Sequence, residues 1–140
     1  MKNEMKTEFL SKPENESFAR TVAAAFILGL DPTTEEMAEI KTAISEAVTN
    51  SVIHGYKNKE GIIIITGRIN EDTVVFTVSD KGEGIENIKQ AREPLFSGSD
   101  DDERSGMGFT IMEAFMDSLC VESEVGKGTT VIMTKTISRA

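Results

Sequence analysis

Hydrophobic periodicity changes from helical to strand-like along the chain, and this change constrains the fold more than any other feature. Residues 15–29 and 33–55 have the patterns of two helices, and two β-branched runs follow at 61–69 and 73–79. The two runs are joined by Asn-Glu-Asp, which predicts an antiparallel hairpin. Two further strand-like runs around a Gly-Lys-Gly turn predict a second hairpin over residues 120–137.

Capping signals mark where the two long helices begin. Thr33, with Glu36 three residues later, forms a capping-box pattern, and Ser11 before Glu14 resembles one. The second helix then carries an apolar stripe with steps of three and four residues, made of Met37, Ile40, Ile44, Ala47 and Ser51. This stripe predicts which face of the helix is buried.

The order of these elements predicts an α+β fold. Shorter helices are expected at 86–93 and 107–119, on either side of a polar loop. Because helices and strand pairs come in separate blocks, we expect a two-layer sandwich with a mixed, mostly antiparallel sheet and helices on one face. The length of 140 residues suits a single domain spanning 1–140.

Composition excludes several classes of protein. Acidic residues outnumber basic ones by 24 to 15, and the net charge of -9 argues against direct binding to nucleic acid. No apolar run is long enough to span a membrane and no signal-peptide pattern opens the chain, so we expect a cytoplasmic protein without membrane contact. The single cysteine, Cys120, excludes an internal disulfide, and its strand-like surroundings predict a buried position.

Glu46 and Asn50 are the first candidates for chemistry. At about 100° per residue they lie within about 40° of each other, at the edge of the apolar stripe and near Ala43 and His54. A carboxylate and an amide at this edge point into the space beside the sheet. The spacing alone also fits two solvated helix residues. His54, the single histidine, is predicted to pack or cap at the helix end.

A second candidate is the sequence that follows the strand at 73–79. Asp80 ends this strand, and Gly82 and Gly84 follow at alternate positions. Such glycines let a ligand approach the backbone closely, and the carboxylate of an Asp at a strand end can accept a hydrogen bond from an amine. An ordinary turn has the same composition, so this motif alone leaves both interpretations open.

A third candidate is the junction between the polar loop and the last helix. Gly106 and Gly108 near a helix start would let phosphate oxygens approach unpaired N–H groups. Arg104 just before them could stabilise charge on a transferring phosphoryl group, or balance the neighbouring acidic run. The later Gly-Lys-Gly-Thr-Thr segment lacks the phosphate-loop spacing and lies between strands, so we interpret it as a hairpin turn.

Taken in order, four short motifs resemble a known ATP-binding fold. They are residues 46–50, 80–84, 106–108 and 128–130. The fold that they resemble is shared by DNA gyrase, Hsp90 chaperones, sensor histidine kinases and the mismatch-repair MutL proteins. The resemblance covers about residues 9–137.

A narrower resemblance is carried by four stretches: NESFAR, SEAVTNSVIHGY, PLF and ERSGMGFTIME. They are similar to the anti-sigma-F family of spore-forming bacteria. That family consists of serine-protein kinases that bind and silence a sporulation sigma factor. We therefore expect a Mg-ATP-dependent kinase.

The resemblance implies roles for individual residues. Asn50 would hold the Mg²⁺ that bridges the triphosphate, and Glu46 would take the proton from the attacking hydroxyl. Asp80 would pair with the adenine amine, and Gly82 and Gly84 would line the base pocket of ATP or ADP. Residues 95–108 would form a lid over the phosphates. The nucleotide site would be completed by five residues in or beside this lid: Ser105, Gly106, Met107, Gly108 and Phe109. Thr130 or its neighbour Thr129 would support the adenine.

The resemblance also implies partners. They are a sporulation sigma factor that is inhibited, an anti-anti-sigma antagonist phosphorylated on serine, and a second copy in a homodimer with both N-terminal regions at the interface. Arg20, the lone basic residue of its apolar helix, is expected to face outward and contact the sigma factor or the other subunit. The alternative function is a nucleotide-gated binding module that transfers no phosphate.

Overall fold

Five strands form one sheet with the helices packed on one of its faces in the computed structural model, which describes residues 2–92 and 108–138. The sheet order is β1-β2-β3-β5-β4, and all four pairings between these strands are antiparallel. The strands are β1 Lys2–Leu10, β2 Ile62–Asn70, β3 Thr73–Asp80, β4 Ser118–Glu124 and β5 Gly128–Thr136. The predicted α+β class is confirmed, and the sheet is antiparallel in every described pairing rather than mixed.

Two long helices and two short ones form the second layer. The helices are α1 Asn15–Ile27, α2 Thr34–Asn50, α3 Ile88–Ala91 and α4 Gly108–Phe115. A 3-10 turn, Leu28–Leu30, extends α1, and a π-helical turn, Ser51–Gly55, extends α2. The predicted end of the second helix at Gly55 is therefore confirmed. None of the described helices is long and apolar enough to cross a membrane.

The two predicted capping boxes have different outcomes. At α2, the Thr33 hydroxyl accepts from the Glu36 N–H at 3.0 Å and the Glu36 carboxylate accepts from the Thr33 N–H at 2.9 Å, as predicted. At α1 the prediction is wrong, because the N-cap is Glu14 and no side chain caps the helix. The Ser11 hydroxyl instead bonds the backbone of the segment that leads into β2.

The core lies between α2 and the helix-facing side of the sheet. Ile40 and Ile44 of α2 are fully buried, as are Ile63 of β2 and Phe76 of β3. Burial alternates along each of the two central strands, because one sheet face meets the helices and the other does not. The predicted stripe therefore faces the core and leaves the edge of α2 turned toward a cavity.

Three details of the sequence prediction are corrected. The last helix ends at Phe115 rather than at Leu119, since β4 begins at Ser118. The short helix α3 covers four residues, fewer than predicted. Cys120 is exposed rather than buried, because it lies on the face of β4 that no helix covers.

Candidate functional site

A cavity of about 1290 Å³ lies at the end of α2. Its wall is formed by the last turn of α2 and the π-helical turn after it, the loop that follows β3, the start of α4 and the helix-facing side of β5. All the candidate motifs from the sequence therefore meet at this cavity, as far as their residues are described. The cavity is large enough for a nucleotide, since ligand pockets typically measure roughly 300–1,000 Å³.

Asn50 and Glu46 both lie next to Gly108. A Cβ atom on Gly108 would lie 3.2 Å from Asn50 Nδ2 and 3.3 Å from Glu46 Oε2. Asn50 and Gly108 belong to the cavity wall, and Glu46 Oε2 lies beside Gly108, although Glu46 is not among the residues that line the cavity. The predicted carboxylate and amide therefore stand together beside Gly108, where a larger residue would crowd both side chains.

Asp80 also lines the cavity and is almost fully buried. Its Oδ2 accepts from the Ser51 hydroxyl at 2.7 Å and its Oδ1 accepts from the Gly82 N–H at 2.9 Å. Each carboxylate oxygen has a second lone pair, so one of them can still accept from a ligand amine. Gly55 makes room for this carboxylate, because a Cβ there would lie 2.9 Å from Asp80 Oδ2.

Gly82 and Gly84 have different positions in the loop after Asp80. Gly84 lies in the cavity wall with φ of 81°, a conformation that favours glycine. Gly82 packs against the backbone of Gly55 and is absent from the wall. Gly84 can therefore contact a ligand, whereas Gly82 acts by holding the loop against the end of α2.

The two threonines of β5 face opposite sides of the sheet. Thr129 pairs with Asp80 across the strands, lies in the cavity wall, and its hydroxyl lies 2.7 Å from that of Ser123. Thr130 faces the uncovered side, where its hydroxyl lies 3.1 Å from that of Ser79. Of the two alternatives for a residue near the ligand, the fold favours Thr129.

The predicted residues around the lid divide into two groups. Gly108 and Phe109 of α4 both line the cavity, and Phe109 is buried. Four further predicted residues lie outside the described part of the chain: Arg104, Ser105, Gly106 and Met107. His54 is half-buried and also lines the cavity, and packing or capping stays a prediction for it.

Glu16 of α1 is a cavity residue that sequence reasoning missed. Its carboxylate accepts from the Thr49 hydroxyl at 2.7 Å and from the Ser45 hydroxyl, each just before one of the two predicted site residues of α2. It also pairs with Arg20 at 3.4 Å, one helical turn later. The four-residue spacing between Glu16 and Arg20 was the feature of the sequence that could have predicted this pair. The Arg20 side chain is therefore partly exposed and paired with a residue of its own helix, rather than directed fully into solvent.

The wall of the cavity offers Asn50 as a ligand for the predicted Mg²⁺. No group of three or more His, Cys, Asp or Glu side chains within residues 2–92 and 108–138 could hold a metal ion. Mg²⁺ usually keeps several waters and binds through few protein ligands plus substrate phosphates. The amide oxygen of Asn50, on the cavity wall, is a suitable single ligand of this kind.

The sequence and fold match known proteins. The family model of the histidine kinase-like ATPase domain matches residues 9–135. Anti-sigma F factors are similar over nearly the whole chain: that of Clostridium beijerinckii is 58% identical over 134 residues, with 95% of this chain and 94% of the relative covered. That of Clostridium kluyveri is 59% identical over 133 residues, with the same coverage.

Solved structures show the same fold. The RsbU and RsbW domains of Rv1364c from Mycobacterium tuberculosis superpose with a TM-score of 0.71 at 20% identity, over 98% of this chain and 32% of that one. The catalytic domain of the histidine kinase ThkA gives 0.60 at 18% identity, over 95% and 96%. The chain thus belongs to the anti-sigma F factor family, within the histidine kinase-like ATPase domains.

Proposed function

We propose that this chain is a Mg-ATP-dependent serine kinase and an anti-sigma factor. It would bind and inhibit a sporulation sigma factor, and it would inactivate an anti-anti-sigma antagonist by phosphorylating it on serine. The names of the relatives support the anti-sigma part, and the family fold supports the use of ATP. We also propose that residues 1–140 act as one domain.

The contact among Glu46, Asn50 and Gly108 carries the proposal of phosphoryl transfer. It places a carboxylate and an amide at the start of α4, where backbone N–H groups and the positive end of the helix dipole favour phosphate. Asp80 lies in the wall of the same cavity. In the proposed binding mode, the base of the nucleotide lies at Asp80 and its phosphates lie at the start of α4, beside Glu46.

In the proposed reaction, the serine oxygen of the antagonist bonds to the γ-phosphorus. The bond from that phosphorus to the β–γ bridging oxygen breaks, and ADP leaves. Glu46 accepts the proton of the attacking hydroxyl as general base. Asn50 would hold Mg²⁺ on the triphosphate, which supplies positive charge to the phosphate oxygens. Because Glu46 lies beside Gly108, which has no side chain, the hydroxyl would approach the carboxylate next to this glycine.

Asp80→Asn should weaken ATP binding roughly tenfold without unfolding the site. The Asn amide can keep both internal hydrogen bonds, since its oxygen accepts from Gly82 and the Ser51 hydroxyl can accept as well as donate. The ligand amine then meets a neutral acceptor in place of a charged one, and such bonds are roughly half as strong. Calorimetric titration measures the change.

Purine riboside triphosphate, which carries a hydrogen atom in place of the adenine amine, provides the control for this variant. Its affinity should be the same for wild type and Asp80→Asn, because neither protein has an amine to bind. An equal loss for both nucleotides would mean that Asp80 acts on the fold of the cavity instead of on the base.

Arg20→Glu should weaken sigma-factor binding at least about tenfold and leave ATP affinity nearly unchanged. The Arg20 side chain is 38% exposed on α1, so its charge can contact a partner. Reversal of this charge would also place two carboxylates one helical turn apart, at Glu16 and position 20. Surface plasmon resonance measures sigma affinity. Lys41→Glu, an equal charge change on an exposed part of α2, is the matched control. Sigma affinity equal to that of wild type would remove Arg20 from the partner surface.

The alternative is a nucleotide-gated binding module that transfers nothing. Incubation with γ-labelled ATP, Mg²⁺ and a candidate antagonist, followed by phosphoamino-acid analysis, separates the two functions. The kinase proposal predicts label on serine. If the antagonist and ATP both bind and all label stays in nucleotide, the binding module is the correct function.

A further inference from the structure

We infer that Ser123 sets the base preference of the cavity by fixing the direction of the Thr129 hydroxyl hydrogen, so that Thr129 presents only lone pairs to a ligand. Ser123 of β4 lies opposite Thr129 of β5, which in turn lies opposite Asp80 of β3. Thr129 and Asp80 line the cavity, and Ser123 is not among the residues that do. Ser123 is therefore a positioning residue, and this role rests on the nucleotide site proposed above.

Three contacts use the whole hydrogen-bonding capacity of the Ser123 hydroxyl. Its oxygen accepts from the Ile85 N–H at 2.7 Å, and it lies 3.0 Å from the Gly128 carbonyl oxygen and 2.7 Å from the Thr129 hydroxyl oxygen. A hydroxyl has one hydrogen and two lone pairs. Because the Gly128 carbonyl can only accept, Ser123 donates its hydrogen there. Ile85 takes one lone pair, and the other is left for Thr129.

The same count fixes the direction of the Thr129 hydroxyl. Ser123 has no second hydrogen, so the 2.7 Å contact between the two hydroxyls is a hydrogen bond only if Thr129 donates. The single hydrogen of Thr129 is then directed at Ser123, and its lone pairs remain for the cavity. Thr129 therefore acts as an acceptor toward a ligand.

Two acceptors thus lie side by side in the cavity wall. Thr129 and Asp80 are directly opposite in an antiparallel pair, in which Cα atoms are about 4.5–5.5 Å apart. Gly128 allows β5 to begin against the end of β3, because a Cβ at this position would lie 2.1 Å from the Asp80 carbonyl oxygen. Two neighbouring acceptors suit an amino group, which has two hydrogens, and repel a carbonyl oxygen. Adenine carries an amino group at C6, whereas hypoxanthine carries a carbonyl oxygen there.

Loss of the Ser123 hydroxyl should have two separable effects. Thr129 would be free to turn its hydrogen toward the cavity and donate to a carbonyl oxygen, while its lone pairs could still accept from an amine. The Ile85 N–H would also lose its acceptor, which loosens the loop after β3 for every nucleotide alike. Only the first effect depends on the base. The ratio of two nucleotide affinities therefore isolates the role inferred for Ser123.

Ser123→Ala should lower the preference for ATP over inosine triphosphate by roughly three- to tenfold, the range expected for one hydrogen bond. The preference is the ratio of the two dissociation constants, each measured by calorimetry with Mg²⁺. Ser123→Thr keeps the hydroxyl at a strand position that suits a β-branched residue, and it should restore the wild-type ratio. Ser118→Ala, the same change at an exposed position of the same strand, should leave the ratio unchanged.

Thr129→Val tests whether the effect passes through Thr129. Valine has a similar shape and no hydroxyl, so in this background Ser123→Ala should no longer alter the ratio. A ratio that still changes there would overturn the inference. So would a Ser123→Ala variant that loses affinity for both nucleotides by the same factor, or a Ser123→Thr variant that does not restore the preference.

These binding ratios are separate from the proposed phosphoryl transfer. Failure of the kinase proposal appears as the absence of labelled serine, and it leaves the ratios and their interpretation intact. A wild type that binds neither nucleotide would refute the proposed nucleotide site and this inference with it. A wild type that binds ATP, with an unchanged ratio in Ser123→Ala, would refute this inference alone.

Discussion

Glu46→Gln should phosphorylate the antagonist at least roughly a hundredfold more slowly than wild type while binding ATP almost normally. Positioned general bases typically contribute about 10² to 10⁴ in rate, and glutamine keeps the size of glutamate but is a very poor base. The contact of the Glu46 carboxylate with Gly108 places it beside the proposed phosphate end of the cavity without making it part of the wall. The loss should therefore appear in kcat rather than in nucleotide affinity.

Single-turnover transfer from γ-labelled ATP measures this effect, with calorimetry for ATP affinity. Glu39→Gln is a matched control, because Glu39 lies on the same helix and pairs with Lys135 away from the cavity. Equal transfer rates for wild type and Glu46→Gln would show that Glu46 is not the base. If Glu39→Gln lowered the transfer rate by the same factor, the slower transfer would reflect general damage to α2 instead of the loss of a base.

Asn50→Ala should weaken Mg-ATP binding by roughly 10- to 100-fold and leave the fold intact. Hydrogen bonds and ligands to charged groups are worth about 1.5–3 kcal/mol each, which corresponds to this range. Asn50 is half-buried at the end of α2, and its side chain is not needed to cap that helix, which continues into the π-helical turn. The free energy of unfolding should therefore change little.

The dependence on Mg²⁺ is the informative comparison for Asn50→Ala. With Mg²⁺ present the variant should bind ATP more weakly than wild type, and with EDTA the two proteins should bind ATP equally. A loss of the same size with and without Mg²⁺ would mean that Asn50 contacts the nucleotide directly. Unchanged affinity in both conditions would remove Asn50 from the site.

The position of the site on α2 could be predicted because its causes are local. The capping box at Thr33 sets where α2 begins, and the apolar stripe sets which face is buried. Glu46 and Asn50 then follow one turn apart at the edge of that face. Both hairpins were also predictable, since strand runs and turn residues lie close together in sequence.

The remaining parts of the site depend on contacts between distant residues. The hydroxyl of Ser51 was assigned only to the apolar stripe, yet it bonds Asp80 29 residues later. Ser11 looked like a helix cap, but its hydroxyl is engaged 48 and 50 residues away. Local patterns do not contain these partners, because the fold brings them together.

Local sequence patterns also could not predict which face of the sheet the helices cover. Alternation along β5 separates Thr129 from Thr130 but does not tell which of them meets the helices. The pairing of Thr129 with Asp80 decides this, and it is a tertiary contact. Cys120 was predicted as buried for the same reason, since an edge strand exposes one whole face when helices cover only the other.

A crystal structure of the chain with Mg²⁺ and a non-hydrolysable ATP analogue tests the central claim most directly. The account predicts the adenine amine at the Asp80 carboxylate, Mg²⁺ bound to the Asn50 amide oxygen, and the γ-phosphate at the start of α4 beside Glu46. An adenine away from Asp80, or a γ-phosphate remote from Glu46 and Asn50, would contradict it.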